Sequence, residues 1–111
     1  MNEQPINARD AVLLELGAYY EVDDLPENGP IWGDKPLAVI AAGHARIILL
    51  RAGEQIALEA ASLLRETCKD RYGSFVREIV AATRYGWMDE DEDWAMMRQL
   101  MLSIADALEA R

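Results

Sequence analysis

Trp94, Met97, Met101, Ile104 and Leu108 follow one another at intervals of three, four, three and four. A strand turns its face every second residue, so this order would scatter the five side chains over both sides of a sheet. An α-helix gathers all five into one stripe. The spacing therefore predicts a helix over about 90–110, suited to packing along another helix. The remaining composition agrees. Of 111 residues, seventeen are Ala, two are Thr and five are Val; Ala gives up no side-chain entropy in a helix, and β-branched residues do. No alternation of strand type runs for a useful length, and no repeat or low-complexity segment interrupts the chain. The expectation is an all-α fold: a compact bundle of about five helices forming a single domain over residues 1–111.

Glycines, prolines and caps divide it. The first helix is expected over about 8–22, with Asn7 as N-cap, Asp10 in the first turn, and Val12, Leu13, Leu16, Tyr19 and Tyr20 as apolar positions. DDLPENGPIWGDKP, residues 23–36, holds three of the four prolines and reads as a loop between helices 1 and 2. Such a length is unusual in a compact domain and points to function. Its Leu25, Ile31 and Trp32 read either as an exposed anchor or as a plug sealing the bundle. The second helix, about 35–52, is expected to be capped by Asp34 with Pro36 in its first turn. It is apolar nearly all round, the pattern of a central helix. Its longest apolar stretch, 37–50, is interrupted by His44 and Arg46 and is too short to span a bilayer. Ala38, Ala41, Ala42, Gly43 and Ala45 are small enough for a neighbouring helix to cross closely.

Gly53 ends this helix or bends it into a third, about 54–72, with Ile56, Ala60, Leu63, Leu64 and Cys68 inward and Glu59, Glu66, Lys69 and Asp70 outward. Gly73 as C-cap and Ser74 as N-cap lead into a fourth, about 75–85, which buries Phe75, Ile79 and Val80 and stops at Gly86.

The net charge of −9 is uneven. Residues 1–34 carry eight acids against Arg9; residues 35–88 carry eight basic groups against five acids; residues 89–111 carry seven acids against two arginines. An acidic surface repels nucleic acid and membranes, so direct contact with either is not expected, and basic protein partners are favoured. The lone Cys68 excludes an intramolecular disulfide and suits a reducing cytoplasm, and no signal-type segment opens the sequence.

WMDEDEDW, residues 87–94, concentrates the charge. Asp89 is expected as N-cap of the last helix, with Glu92 completing a capping box, and acids there also meet the positive end of the helix dipole. Trp32-Gly33-Asp34 repeats the arrangement of Trp87-Met88-Asp89, with a tryptophan two residues before a capping Asp. That dipole amounts to about half a charge, which one or two acids satisfy. The surplus is solvated, neutralised by Arg77, Arg84 or Arg98, or kept for a partner. Asp89, Asp91 and Asp93 have the spacing that opens a calcium loop, but Trp94 and Leu100 occupy the places of its glycine and closing glutamate.

No other constellation supports chemistry. His44 and Cys68 are read as core residues, since a catalytic histidine needs a carboxylate partner and no zinc set can be assembled. No catalytic residue, cofactor site or metal site is assigned, and enzyme activity is not expected. Residues 65–83 have a helix–turn–helix outline, with Lys69 where a small buried residue belongs and five acids opening the next helix.

The favoured reading is a non-enzymatic cytoplasmic binding protein. Its partner-binding residues are Asp89, Glu90, Asp91, Glu92 and Asp93, with Asp23, Asp24, Glu27 and Trp32 of the loop. They would engage a basic groove on a protein partner, such as a nucleic-acid-handling complex. This profile of short length, acidity and no catalytic motif is similar to that of small phage-encoded inhibitors, anti-CRISPR proteins among them. The likeness lies in profile alone, as a nucleic-acid mimic, and no motif carries it. The alternative is an assembly or regulatory subunit, a homodimer for instance, that self-associates through the 94–108 stripe. A degenerate helix–turn–helix DNA-binding regulator ranks third.

Overall fold

The computed structural model describes residues 6–20, 36–83 and 89–110. They form α1 (Ala8–Tyr20), α2 (Leu37–Ala52), α3 (Glu54–Thr67), α4 (Ser74–Thr83) and α5 (Asp91–Glu109), with no strand among the described residues. The all-α expectation holds. Most of the 23–36 segment, including Asp23, Asp24, Glu27 and Trp32, lies outside the described residues, as do Arg84, Gly86 and Trp87.

The first helix begins as its sequence implies: Asn7 Oδ1 accepts the Asp10 N–H at 2.8 Å, and its carbonyl accepts from Ala11. Ala11, Val12 and Leu16 are buried. At α2, Pro36 takes the N-cap position with φ −59°, and its carbonyl accepts from Val39 and Ile40. A residue that has no N–H loses nothing there. Gly53 both ends α2 and begins α3. With φ +86° it occupies a conformation that costs glycine little, donates to Leu49 O at 2.8 Å and accepts from Ala57 at 2.9 Å.

Four boundaries differ from expectation. The second helix starts at Leu37 with Pro36 as its N-cap, in place of a start near 35 capped by Asp34. The third helix stops at Thr67, short of 72. Asp70 Oδ1 accepts the Tyr72 N–H at 3.1 Å and Asp70 O accepts from Gly73 at 3.1 Å, so a local turn replaces the last helical turn. Ser74 is a helical residue instead of a cap, because the first bond of α4 runs from the Arg77 N–H to Gly73 O. In α5 the N-cap is Glu90, one residue beyond Asp89, and no side chain caps it; the capping box is therefore not formed.

The largest difference concerns how much of α2 and α5 is buried. α5 buries more large side chains than any other described helix, Met97, Leu100, Met101, Ile104 and Leu108, with Ala105 beside them, whereas α2, the expected central helix, lies against α1, α3 and α5 but buries smaller residues. The α5 residues share one core with Ala57, Ala60, Ala61 and Leu64 of α3, Ala41, Ala45 and Ile48 of α2, Val12 and Leu16 of α1, and Phe75, Val76 and Ile79 of α4, and α5 itself lies against α2 and α3. The alanines of α3 allow α5 to approach closely. By contrast, α2 buries one side only, and Val39, Ile47 and Leu50 are exposed. Apolarity makes burial favourable, but it cannot supply the neighbours that would cover a second side.

Candidate partner-binding site

The acidic run sits at the head of α5. Asp89, Glu90, Asp91 and Glu92 are exposed and Asp93 is half-buried. Acids in the first helical turn, Asp91 to Asp93, face the unsatisfied N–H groups and the positive dipole end. The counter-charge comes from a residue the sequence reading did not single out. Arg71, in the turn after α3, brings Nη1 to 2.6 Å from Asp91 Oδ1. That hydrogen bond, with further attraction from Asp91 and Asp89, raises the guanidinium's pKa above its ordinary value. Asp91 remains 93% exposed, so the pair is a surface contact worth little to stability. Arg71 also stands 5.4 Å from the centroid of the exposed Tyr72 ring.

Of the arginines expected as neutralisers, Arg84 lies outside the described residues and neither Arg77 nor Arg98 forms an ion pair with the run among the described residues. Arg98 Nε donates to Cys68 O at 3.2 Å, and Arg77 is exposed on α4. Asp89, Glu90 and Glu92 make no ion pair with a described residue. Of the nine residues assigned to partner binding, the structure gathers five at this corner; Asp23, Asp24, Glu27 and Trp32 cannot be placed with them. The opposite end of α5 is tied down. Arg65 of α3 clamps Asp106 at 2.5 Å and also pairs with Glu109. Arg65 near the end of α5 and Arg71 at its start make the two helices antiparallel. Cys68 lies between them, its Sγ 3.6 Å from Arg98 O; burial pushes the thiol up to about 11.

A second cluster was not foreseen. His44 is buried, as expected, but it has a carboxylate partner: Nδ1 lies 2.7 Å from Glu15 Oε2, and both residues are 5% exposed. Arg51 Nη1 stands 3.7 Å from the other Glu15 oxygen. The pair joins α1 to α2 across 29 residues. One signal was present in the sequence, since Glu15 falls on the buried side of α1 with Val12 and Leu16. A buried acid of this kind needs a partner. The pair lines neither of two surface cavities formed by described residues: one of about 190 Å³ between α2 and α5, bordered by Ala42, Arg46, Leu49 and Ala107, and one of about 260 Å³ beside Arg9, Glu66 and Phe75.

No family model, curated protein or solved structure matches this chain. The functional reading therefore rests on its own residues. The 94–108 stripe, proposed as a self-association surface, lies largely in the core: Met97, Met101, Ile104 and Leu108 are buried and Trp94 is half-buried. In the helix–turn–helix outline, Lys69 is exposed and pairs with Glu66 at 2.9 Å. No described helix is long and apolar enough to cross a membrane.

Proposed function

We propose that this chain is a non-enzymatic binding protein whose acidic corner at the head of α5 occupies a basic groove on a protein partner. The carrying observation is the exposure of Asp89, Glu90 and Glu92, none of which forms an ion pair with a described residue. Five carboxylates stand where a helix dipole uses one or two, and the ion pair of Arg71 is with Asp91, outside Asp89, Glu90 and Glu92. A groove built for phosphates presents the complementary charge, so a nucleic-acid-handling protein inhibited by this chain is the partner class that fits. Burial of His44 and Cys68 supports binding over catalysis.

The test neutralises only the unpaired acids: Asp89→Asn, Glu90→Gln and Glu92→Gln together, leaving the Arg71–Asp91 pair. Tagged wild-type and variant chains are used to capture partners from the native host's lysate at low and moderate salt. The wild type is expected to hold a basic protein at low salt and to release it as salt rises. The variant should not hold it, and its thermal melting should be nearly unchanged. Capture that resists both salt and the triple substitution refutes the reading.

A further inference from the structure

The outward face of α2 has the opposite character to the head of α5. Val39, Ala42, Gly43, Arg46, Ile47 and Leu50 are all exposed, and Arg46 is the one polar side chain among them. Leu50 is 74%, Val39 56% and Ile47 41% exposed. A Cβ built on Gly43 would meet nothing within 4 Å, so the middle of the face is open and low while its ends are raised. Surface helices ordinarily turn polar residues outward, and a continuous apolar face is a mark of interaction.

We propose that this face is an interface with a second copy of the chain, formed by two α2 helices crossing antiparallel with Gly43 at the two-fold axis. Charge selects this occupant. Every other described helix carries acids, and copies of net charge −9 repel wherever acidic surfaces meet. Alone among the described helices, α2 has no acid, so two copies can approach there without opposing carboxylates. Symmetry agrees with charge. Val39 and Ile47 lie four residues either side of Gly43, so a two-fold crossing seats Val39 on the partner's Ile47 and Ile47 on the partner's Val39, as an isologous contact requires. The antiparallel sense also places the two Arg46 side chains on opposite sides of the two-fold axis, about 9 Å apart along the helix direction, and opposes the helix dipoles favourably.

Size sets the affinity. Sixteen residues give a helix about 24 Å long, and a face about 10 Å wide offers roughly 240 Å². A standard interface takes about 800 Å² per partner, so the dimer belongs to the weak, transient class. This interface uses none of the acidic corner and stands or falls separately from the proposed partner binding.

Mass is measured by sedimentation or light scattering from about 0.01 to 1 mM, against Gly43→Trp. Wild type is expected to rise towards twice the monomer mass, and Gly43→Trp to stay monomeric with an unchanged melting temperature. A cross-link keeps the test independent of that variant's folding. Chains carrying Val39→Cys and chains carrying Ile47→Cys are mixed with oxidised glutathione. The mixed 39–47 disulfide should dominate over 39–39 and 47–47, whose positions lie about 12 Å apart along the helix direction, beyond the reach of about 7 Å between Cα atoms. A wild type that stays monomeric at about 1 mM assigns the face to some other partner and overturns the proposal. So does a Gly43→Trp chain that dimerises as before, or a cross-link that favours the like pairs.

Discussion

The helices α2 and α5 differ in burial in the direction opposite to what their compositions suggest. Two of sixteen residues in α2 are formally charged, yet it leaves Val39, Ile47 and Leu50 in solvent. Six of nineteen are charged in α5, yet it supplies more fully buried large side chains than any other described helix. The difference lies in arrangement. The charges of α5 cluster at its two ends, Asp91 to Asp93 and Asp106 with Glu109, and Arg98 reaches the Cys68 carbonyl, so one uninterrupted apolar stripe can be enclosed between α2 and α3. In α2 the apolar residues run nearly all round, which specifies no direction. Phase carries more information about burial than mean hydropathy does.

The sharpest way to break this comparison is to truncate one leucine on each helix. Leu100→Ala in α5 is expected to cost about 3–5 kcal/mol, because it removes a fully buried side chain and leaves a cavity. Leu50→Ala in α2 should change stability by less than about 0.5 kcal/mol. Urea unfolding measures both, and equal losses would mean that α2 is covered after all.

Next in size is the buried pair linking α1 to α2. His44→Ala leaves the Glu15 carboxylate buried with Arg51 3.7 Å away and is expected to cost about 3 kcal/mol. Replacing both partners, Glu15→Leu with His44→Leu, should recover most of that loss, since no buried charge remains. A double variant as unstable as the single one would show that the pair contributes more than mutual compensation.

A smaller effect is expected at Cys68, between α3 and α5. Burial raises its thiol from about 9 to about 11, so between those pH values the folded chain keeps a proton that the unfolded chain has released. Stability should therefore fall as pH rises through this window, by about 2–3 kcal/mol in all. Cys68→Ala should lack that part of the slope. Matching wild-type and variant curves between pH 9 and 11 would show that the site is wetter than its packing implies.

The smallest change sharpens the account of α2. Gly43→Ala meets open space and removes a poor helix former, so it should stabilise the chain by about 0.5–1 kcal/mol. A loss instead would place a neighbour against the glycine.

Much of the site was legible because its causes are local. Asn7 and Asp10 announced the start of α1, and Gly53 marked the α2–α3 junction through its conformational freedom. Consecutive acids ahead of a helix remain exposed at four of the five positions from Asp89 to Asp93. The misreadings were of two kinds. Asp89 and Glu90 compete for one cap, and Asp70 ended α3 early through a turn; both are choices between nearly equal local structures. Arg71 and Glu15 were missed for a different reason, since their partners lie 20 and 29 residues away, and local spacing does not encode such pairs.

The sequence by itself determined the helical class, through Ala content and three–four spacing, and placed a dense negative charge at the start of the last helix. Backbone sterics and side-chain entropy act within a few residues, so these properties travel with the chain wherever it folds. Only the tertiary structure decided which helix buries the most bulk, which arginine meets Asp91, and that His44 has a carboxylate beside it. Those outcomes depend on five helices dividing a limited amount of coverage among themselves, and no single segment contains that division.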